Sequence, residues 1–301
     1  MAGLGAVRVD VEARPPWPYR RPRAGFDGVA RVRGPAIRRL LHVDGVPVVV
    51  GAVTARDSVR LAARADTRER AEEGIARWRF ALGVDDDLAP FYERFRFDPL
   101  LGPLVRRDPA LRVHRRPEPF EALAWAVTEQ LIESGRAAEI QRAIVGRHGR
   151  RGPELGLRDL PAASTVAGLA PAELERCGLA AARARALIRA AREVATGRVD
   201  LRAADPGPGW RRLRAISGIG PWTVEVLALH GQGRLDIVPA GDLAHLKLVG
   251  RLTTGRPGAR ATEDAVRAFY ARFDPWAGLA AEHLLAGWAR GAFPAGAARA
   301  A

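Results

Sequence analysis

The stretch Leu213-Arg-Ala-Ile-Ser-Gly-Ile-Gly-Pro-Trp-Thr-Val-Glu-Val-Leu-Ala-Leu holds residue types suited to gripping a phosphate. A helix ending near Ala215, a tight turn at Gly218-Ile219-Gly220 and a second helix opened by Pro221 fit the string. Glycine leaves the N–H groups of the turn uncovered. The start of the second helix adds the positive end of its dipole. An ordinary helix–turn–helix connector would share the Gly-X-Gly, but the full pattern Leu-x-x-Ile-x-Gly-Ile-Gly-Pro-Trp-Thr is far more specific. Twenty residues past Trp222 stands Asp242, in Ile237-Val-Pro-Ala-Gly-Asp-Leu-Ala, near the start of another expected helix. Alone, it would read as an N-cap. Paired with the hairpin upstream, its spacing suggests a role beyond a cap.

The elements that must hold these residues fall into two textures. Over residues 1–88 the pattern is mixed. Alternation predicts strands at Val7–Ala13, Gly28–Val32, Arg39–Val43 and Val46–Thr54, with an Asp44-Gly45 hairpin turn and Pro47 tolerated at a strand start. Pro15-Pro16-Trp17-Pro18-Tyr19 should be an extended loop. Thr67 is placed to cap a helix over Arg68–Leu82, closed by Gly83. From residue 89 onward helical spacing dominates. Helices are expected at Pro90–Phe95, Pro99–Val105, Pro119–Glu133, Gly135–His148, Pro171–Cys177, Ala180–Thr196, Gly209–Ala215, Pro221–Leu229, Gly241–Val249, Glu263–Phe273 and Trp276–Arg290. The expected class is α+β: a small N-terminal antiparallel α/β domain (1–88) before a mainly helical region (89–301).

Composition narrows the partners. The 301 residues are 48% hydrophobic, enough to build real cores, and the net charge is +14. That charge favours a polyanion. However, 47 of the 48 basic residues are arginine, and a GC-rich genome would produce that bias without any nucleic-acid partner. A single cysteine, Cys177, excludes a disulfide framework and a four-cysteine metal or iron–sulfur site. The six histidines have no zinc spacing. No apolar run approaches the ~18 residues of a membrane span. The N-terminus lacks a basic segment followed by a long apolar one, so a cytoplasmic location is expected.

Together, the hairpin string and Asp242 resemble the helix-hairpin-helix DNA glycosylase superfamily, and within it the bacterial alkylbase glycosylases of the 3-methyladenine DNA glycosylase II type. The likeness runs from about Pro119 to Arg290. It includes Phe120-Glu-Ala-Leu-Ala-Trp-Ala-Val-Thr-Glu-Gln-Leu-Ile, Cys177-Gly-Leu with Arg183-Ala-Arg-Ala-Leu, and the segment from Pro275-Trp276 to His283. The resemblance implies a helical glycosylase core with two subdomains and a base pocket between them. It implies Asp242 as the catalytic aspartate, Gly218, Ile219 and Gly220 as the phosphate-gripping hairpin, and Leu131, after Gln130, as a wedge that fills the gap left by a flipped base. Trp222 matches an aromatic pocket position. Two departures stand out: Val226 replaces a pocket tyrosine of the best-known members, and Leu285 replaces a pocket tryptophan, with Trp288 a helical turn beyond. Relatives that also cut the backbone place a lysine at the hairpin position held here by Trp222.

These matches imply a monofunctional glycosylase that acts, as a monomer without metal or cofactor, on double-stranded DNA carrying an alkylated purine. Asp242 would stabilise an oxocarbenium-like sugar or orient water, and no second acid is evident. The competing readings are the same fold acting on oxidised, deaminated or mismatched bases, and a non-catalytic DNA-damage binding protein. For Leu131, Trp222 and Trp288, ordinary packing competes with the site role. Trp17 and Tyr19 are expected against the sheet, with closing of the pocket from the first domain as the alternative, and His245 is expected on a helix surface.

Overall fold

The computed structural model describes residues 7–23, 25–152 and 156–293. The expected chain start and tail (1–6 and 294–301) lie outside them. Five strands, β1 (Val7–Ala13), β2 (Ala30–Arg33), β3 (Ala36–Val43), β4 (Val46–Thr54) and β5 (Val59–Ala65), form an antiparallel sheet in the order β1-β5-β4-β3-β2. Asp44 and Gly45 both take positive φ (50° and 79°), as a two-residue hairpin compatible with strand twist requires. Pro47 is the second residue of the interior strand β4, so its missing N–H falls at a strand start. Helix α1 (Arg68–Leu82) is capped by Thr67, whose hydroxyl accepts from Arg70 N at 3.3 Å, and it closes on Gly83. It lies across the sheet, burying Ala71, Ile75 and Trp78 with Val48, Val50 and Leu61.

The rest is helical: α2 (Ala89–Phe95), α3 (Gly102–Arg107), α4 (Pro119–Glu129), α5 (Ser134–His148), α6 (Ala163–Gly168), α7 (Pro171–Glu175), α8 (Ala181–Ala195), α9 (Gly207–Arg214), α10 (Pro221–Val226), α11 (Leu243–Thr254), α12 (Glu263–Ala271) and α13 (Ala277–Ala289). A two-strand ribbon pairs Arg150–Arg151 with Arg158–Asp159, and α10 runs on into a π-helical turn, Leu227–Gly231. These elements build two cores. One gathers Leu123, Trp125, Ile144, Leu187, Leu213 and Ile219 from α4, α5, α8 and the α9–α10 connection. The other gathers Phe91, Leu101, Leu248, Tyr270 and Leu284 from α2, α3 and α11–α13.

The sheet joins the first helical core through buried charge. Arg39 of β3 donates to Glu121 of α4 at 2.8 and 3.3 Å and to Asp159 at 3.3 Å. Arg116 bridges Asp27 (2.6 Å) and Glu121 (3.2 Å), and the indole N–H of Trp125 donates to Asp27 at 3.1 Å.

Several expectations need correction. The helix expected to reach Glu133 stops at Glu129, because Gln130 turns extended and Leu131 takes φ 53°. Strand β5, helix α6 and the ribbon were not anticipated. β5 alternates in burial, but its sequence, Val-Arg-Leu-Ala-Ala-Arg-Ala, carries few of the residues that announce a strand. Trp17 packs on the second helical core, with its ring 5.2 Å from Tyr92 and its N–H on Pro109 O; only Tyr19 sits against the sheet core.

Candidate active site

Two helices and a glycine turn form the hairpin. Helix α9 ends at Arg214, and Ile216 and Ile219 fold inward, Ile219 into the first core at 3% exposure. Gly218 has φ +92°, and a Cβ there would stand 3.2 Å from Ala186 Cβ. Any other residue would therefore be both strained and crowded. Gly220 is the N-cap of α10, and a Cβ on it would meet nothing within 4 Å. The outer side of the turn is thus open at the helix start, the arrangement that receives a phosphate.

Gln130 connects this hairpin to the end of α4. Its side-chain amide donates to Gly218 O and to Thr223 Oγ1, each at 2.9 Å. The next residue, Leu131, is 98% exposed and left-handed in φ. A leucine rarely takes that φ, and strain of about 1–2 kcal/mol is typical of it. Leu131 is therefore no core residue of an amphipathic helix.

Asp242 caps α11. Its Oδ1 accepts from Ala244 N at 2.8 Å, which leaves the second oxygen outside that bond. The residue is half-buried. Its loop is fastened to the hairpin helix: Ala240 N donates to Glu225 Oε2 of α10 at 3.1 Å, and Glu225 Oε1 accepts from Arg267 of α12 at 2.7 Å. A Cβ on Gly241 would lie 3.4 Å from Trp222 Cβ. The carboxylate therefore stands one residue from the backbone against which Trp222 packs, at the seam between the two helical cores. Trp222 is half-buried, and its indole N–H is buried without a hydrogen-bond partner among the described residues.

No family model matches the chain. It is 28% identical, over 94% of its length, to a protein named probable bifunctional transcriptional activator/DNA repair enzyme AlkA from Mycobacterium tuberculosis. It is 31% identical, over 54% of its length, to a DNA-3-methyladenine glycosylase from Bacillus subtilis. The chain spans 57% and 54%, a little over half, of the length of these curated relatives. A solved 3-methyladenine DNA-glycosylase from Archaeoglobus fulgidus superposes with a TM-score of 0.77 at 21% identity, covering 94% of this chain and 98% of that one. The chain shares the fold of that glycosylase.

Within this helix-hairpin-helix fold, the remaining residues singled out from sequence fall into two groups. Val226 is buried at the end of α10. Leu285 and Trp288 lie on α13, half-buried and packed against the second core. His245, expected at a surface, is 4% exposed and bonds Tyr270 Oη at 3.2 Å; burial drives its imidazole down to about 4. His230, also buried, bonds His114 O at 2.7 Å from the π-helical turn and is held below the usual imidazole range chiefly by burial.

Sequence reasoning missed two acids near the Asp242 carboxylate. Glu129, beside Gln130, accepts from Gln141 at 2.9 Å, and burial raises its carboxyl. Glu282 of α13 is enclosed by protein yet keeps a partial opening to solvent. One signal was available: Glu282 is the only Asp, Glu, Lys or Arg in the otherwise apolar α13, Ala-Gly-Leu-Ala-Ala-Glu-His-Leu-Leu-Ala-Gly-Trp-Ala.

Proposed function

We propose that this protein is a monofunctional DNA glycosylase that flips an alkylated purine out of duplex DNA and hydrolyses its N-glycosidic bond with Asp242. The observation that carries this reading is the fastening of the Asp242 loop onto the hairpin helix, through Ala240–Glu225 and the Gly241–Trp222 approach. A phosphate held at Gly218–Gly220 and a carboxylate beside Trp222 suit the two ends of one extruded nucleotide. Trp222 offers a cationic base a cation–π face worth ~0.5–2 kcal/mol. Val226 and Leu285 widen the space that larger rings would occupy. The net charge of +14 suits a duplex partner bound by one copy of the chain. The separate sheet and helical cores support a division near residue 88.

Strand cleavage by Schiff-base chemistry needs an amine at the sugar, and Trp222 has none. Lys247, the only lysine, is half-buried five residues past Asp242, roughly 140° further around α11. Incubated with methylated duplex DNA, the protein should release free methylpurine and leave the abasic strand uncut. Borohydride should trap no covalent adduct. Nicking that keeps pace with base release would overturn the monofunctional reading, and absence of any released base would overturn the enzymatic one.

Leu131 is the proposed wedge. Occupying the vacated space offsets part of the few kcal/mol that unstacking costs. Leu131→Gly should lower base release at least tenfold, the equivalent of ~1.4 kcal/mol. The same change relieves left-handed strain of about 1–2 kcal/mol against an entropy loss of about 0.4–1 kcal/mol in the unfolded chain. The melting temperature should therefore hold or rise. A parallel fall in stability and activity would show that Leu131 is structural.

A further inference from the structure

Glu282 lies on the face of α13 that packs against the segment leading into Asp242. Two observations place it. Gly278, one turn earlier on the same face of α13, lies so close to the segment leading into Asp242 that a Cβ would come within 2.5 Å of Ile237 O, and its N–H donates to Leu235 O at 2.7 Å. Leu285, three residues later on that face, holds the position that resemblance assigns to the pocket. Between them, no hydrogen bond or ion pair holds the carboxyl of Glu282 among the described residues. A carboxyl that is half-buried, without a protein partner and still open to solvent on one side can meet a group that enters from outside.

We propose that Glu282 is the general acid of this site, protonating a ring nitrogen of the flipped purine as it leaves, so that uncharged lesion bases are accepted as well as cationic ones. This rests on the glycosylase reading above. The step balances as follows. The C1′–N9 electron pair goes to the purine, the Glu282 proton goes to N7 or N3, and Asp242 faces the sugar cation. Water then adds at C1′ and loses a proton. A cationic 7-methylguanine needs no such proton; hypoxanthine does.

The surroundings keep the proton in place near neutrality. Burial first, then the negative charge of Asp242, pushes the Glu282 carboxyl up to about 7. Tyr270 of α12 also faces it, and burial holds that phenol neutral far above its ordinary range. His245, His230 and Glu129 face Asp242 from α11, the π-helical turn and α4. A carboxyl raised in this way beside a second one is suited to the acid role of the pair.

The test compares hypoxanthine and 7-methylguanine in the same duplex, with Glu282→Gln and Glu282→Leu beside the parent protein. General-acid catalysis contributes typically 10²–10⁴-fold. Each variant should therefore lower hypoxanthine release at least 30-fold more than 7-methylguanine release. In the parent, hypoxanthine release should fall as pH rises through about 7, and that limb should vanish in both variants. Equal losses on the two lesions, or an unchanged pH limb, would overturn the proposal. If the parent releases neither base, the glycosylase reading fails instead, so the two failures are distinguishable.

Discussion

Asp242→Asn should lower base release by about a thousandfold or more and leave affinity for lesion-containing duplex within a few-fold. A carboxylate about 4 Å from a sugar cation contributes on the order of 4 kcal/mol at an effective dielectric near 20. That energy corresponds to roughly three decades in rate. The substitution isolates the charge because asparagine is as good an N-cap as aspartate. Its amide oxygen can still accept from Ala244 N, as Asp242 Oδ1 does at 2.8 Å. The fold of α11, the turn to Pro239 O and the approach of Gly241 to Trp222 should therefore persist. Single-turnover base release and duplex binding by anisotropy separate the two outcomes. Asp242→Ala adds loss of the cap, ~1 kcal/mol of stability, on top of the same rate loss. If Asp242→Asn retained near-parental release, Asp242 would be a cap alone and the chemistry would have to be sought elsewhere.

How far the sequence announced this arrangement depended on the range of the interaction. The hairpin, its Pro221 start, the Asp242 cap and the Thr67 cap are local events, written in adjacent residues, and they lie where they were expected. The Asp44-Gly45 turn is local in the same sense. The end of α4 was misplaced because apolar spacing continues through Leu131 and Ile132, while what stops the helix is distant: Gln130 bonds Gly218 and Thr223, about 90 residues away in the chain. Glu282 and Glu129 gained their meaning only when α13 and α4 were brought to Asp242. No periodicity encodes that meeting. His245 illustrates the same limit, since its helical position suggested a surface that α12 in fact covers. Arg39 is the extreme case, a charged residue in a strand whose partners come from 82 and 120 residues further on.

Arg39→Met should destabilise the fold by about 3–5 kcal/mol, the cost of removing one partner from a buried ion pair. At roughly 2–4 °C per kcal/mol for a chain of this size class, the melting temperature should fall by about 10 °C. The side chains of Arg39 and Glu121 are 3% and 0% exposed, so water cannot replace the lost contacts. Burial opposes the Arg39 charge, and Glu121 and Asp159 outweigh it, raising the guanidinium above its ordinary range. Asp159 shows the reciprocal effect: burial opposes its ionisation, but His42, Arg39 and Arg150 hold its carboxyl below the usual range. A depressed carboxyl adds stability that is present above the unfolded value, near 3.9, and is lost as pH falls through the folded one. With Arg39 gone the sign reverses locally, because a buried carboxyl short of a partner favours its proton. The stability deficit of Arg39→Met should therefore shrink between pH 8 and pH 5. Adding Glu121→Gln should recover part of it at pH 8, and thermal melts of the single and double variants across that range supply the measurement. A deficit independent of pH, with no recovery in the double variant, would mean that Arg39 acts through packing against Trp78, 6.0 Å from its guanidinium, and not through charge. Because Glu121 lies on the helix that presents Gln130 and Leu131, the loosened variant should also release base more slowly under conditions where it remains folded.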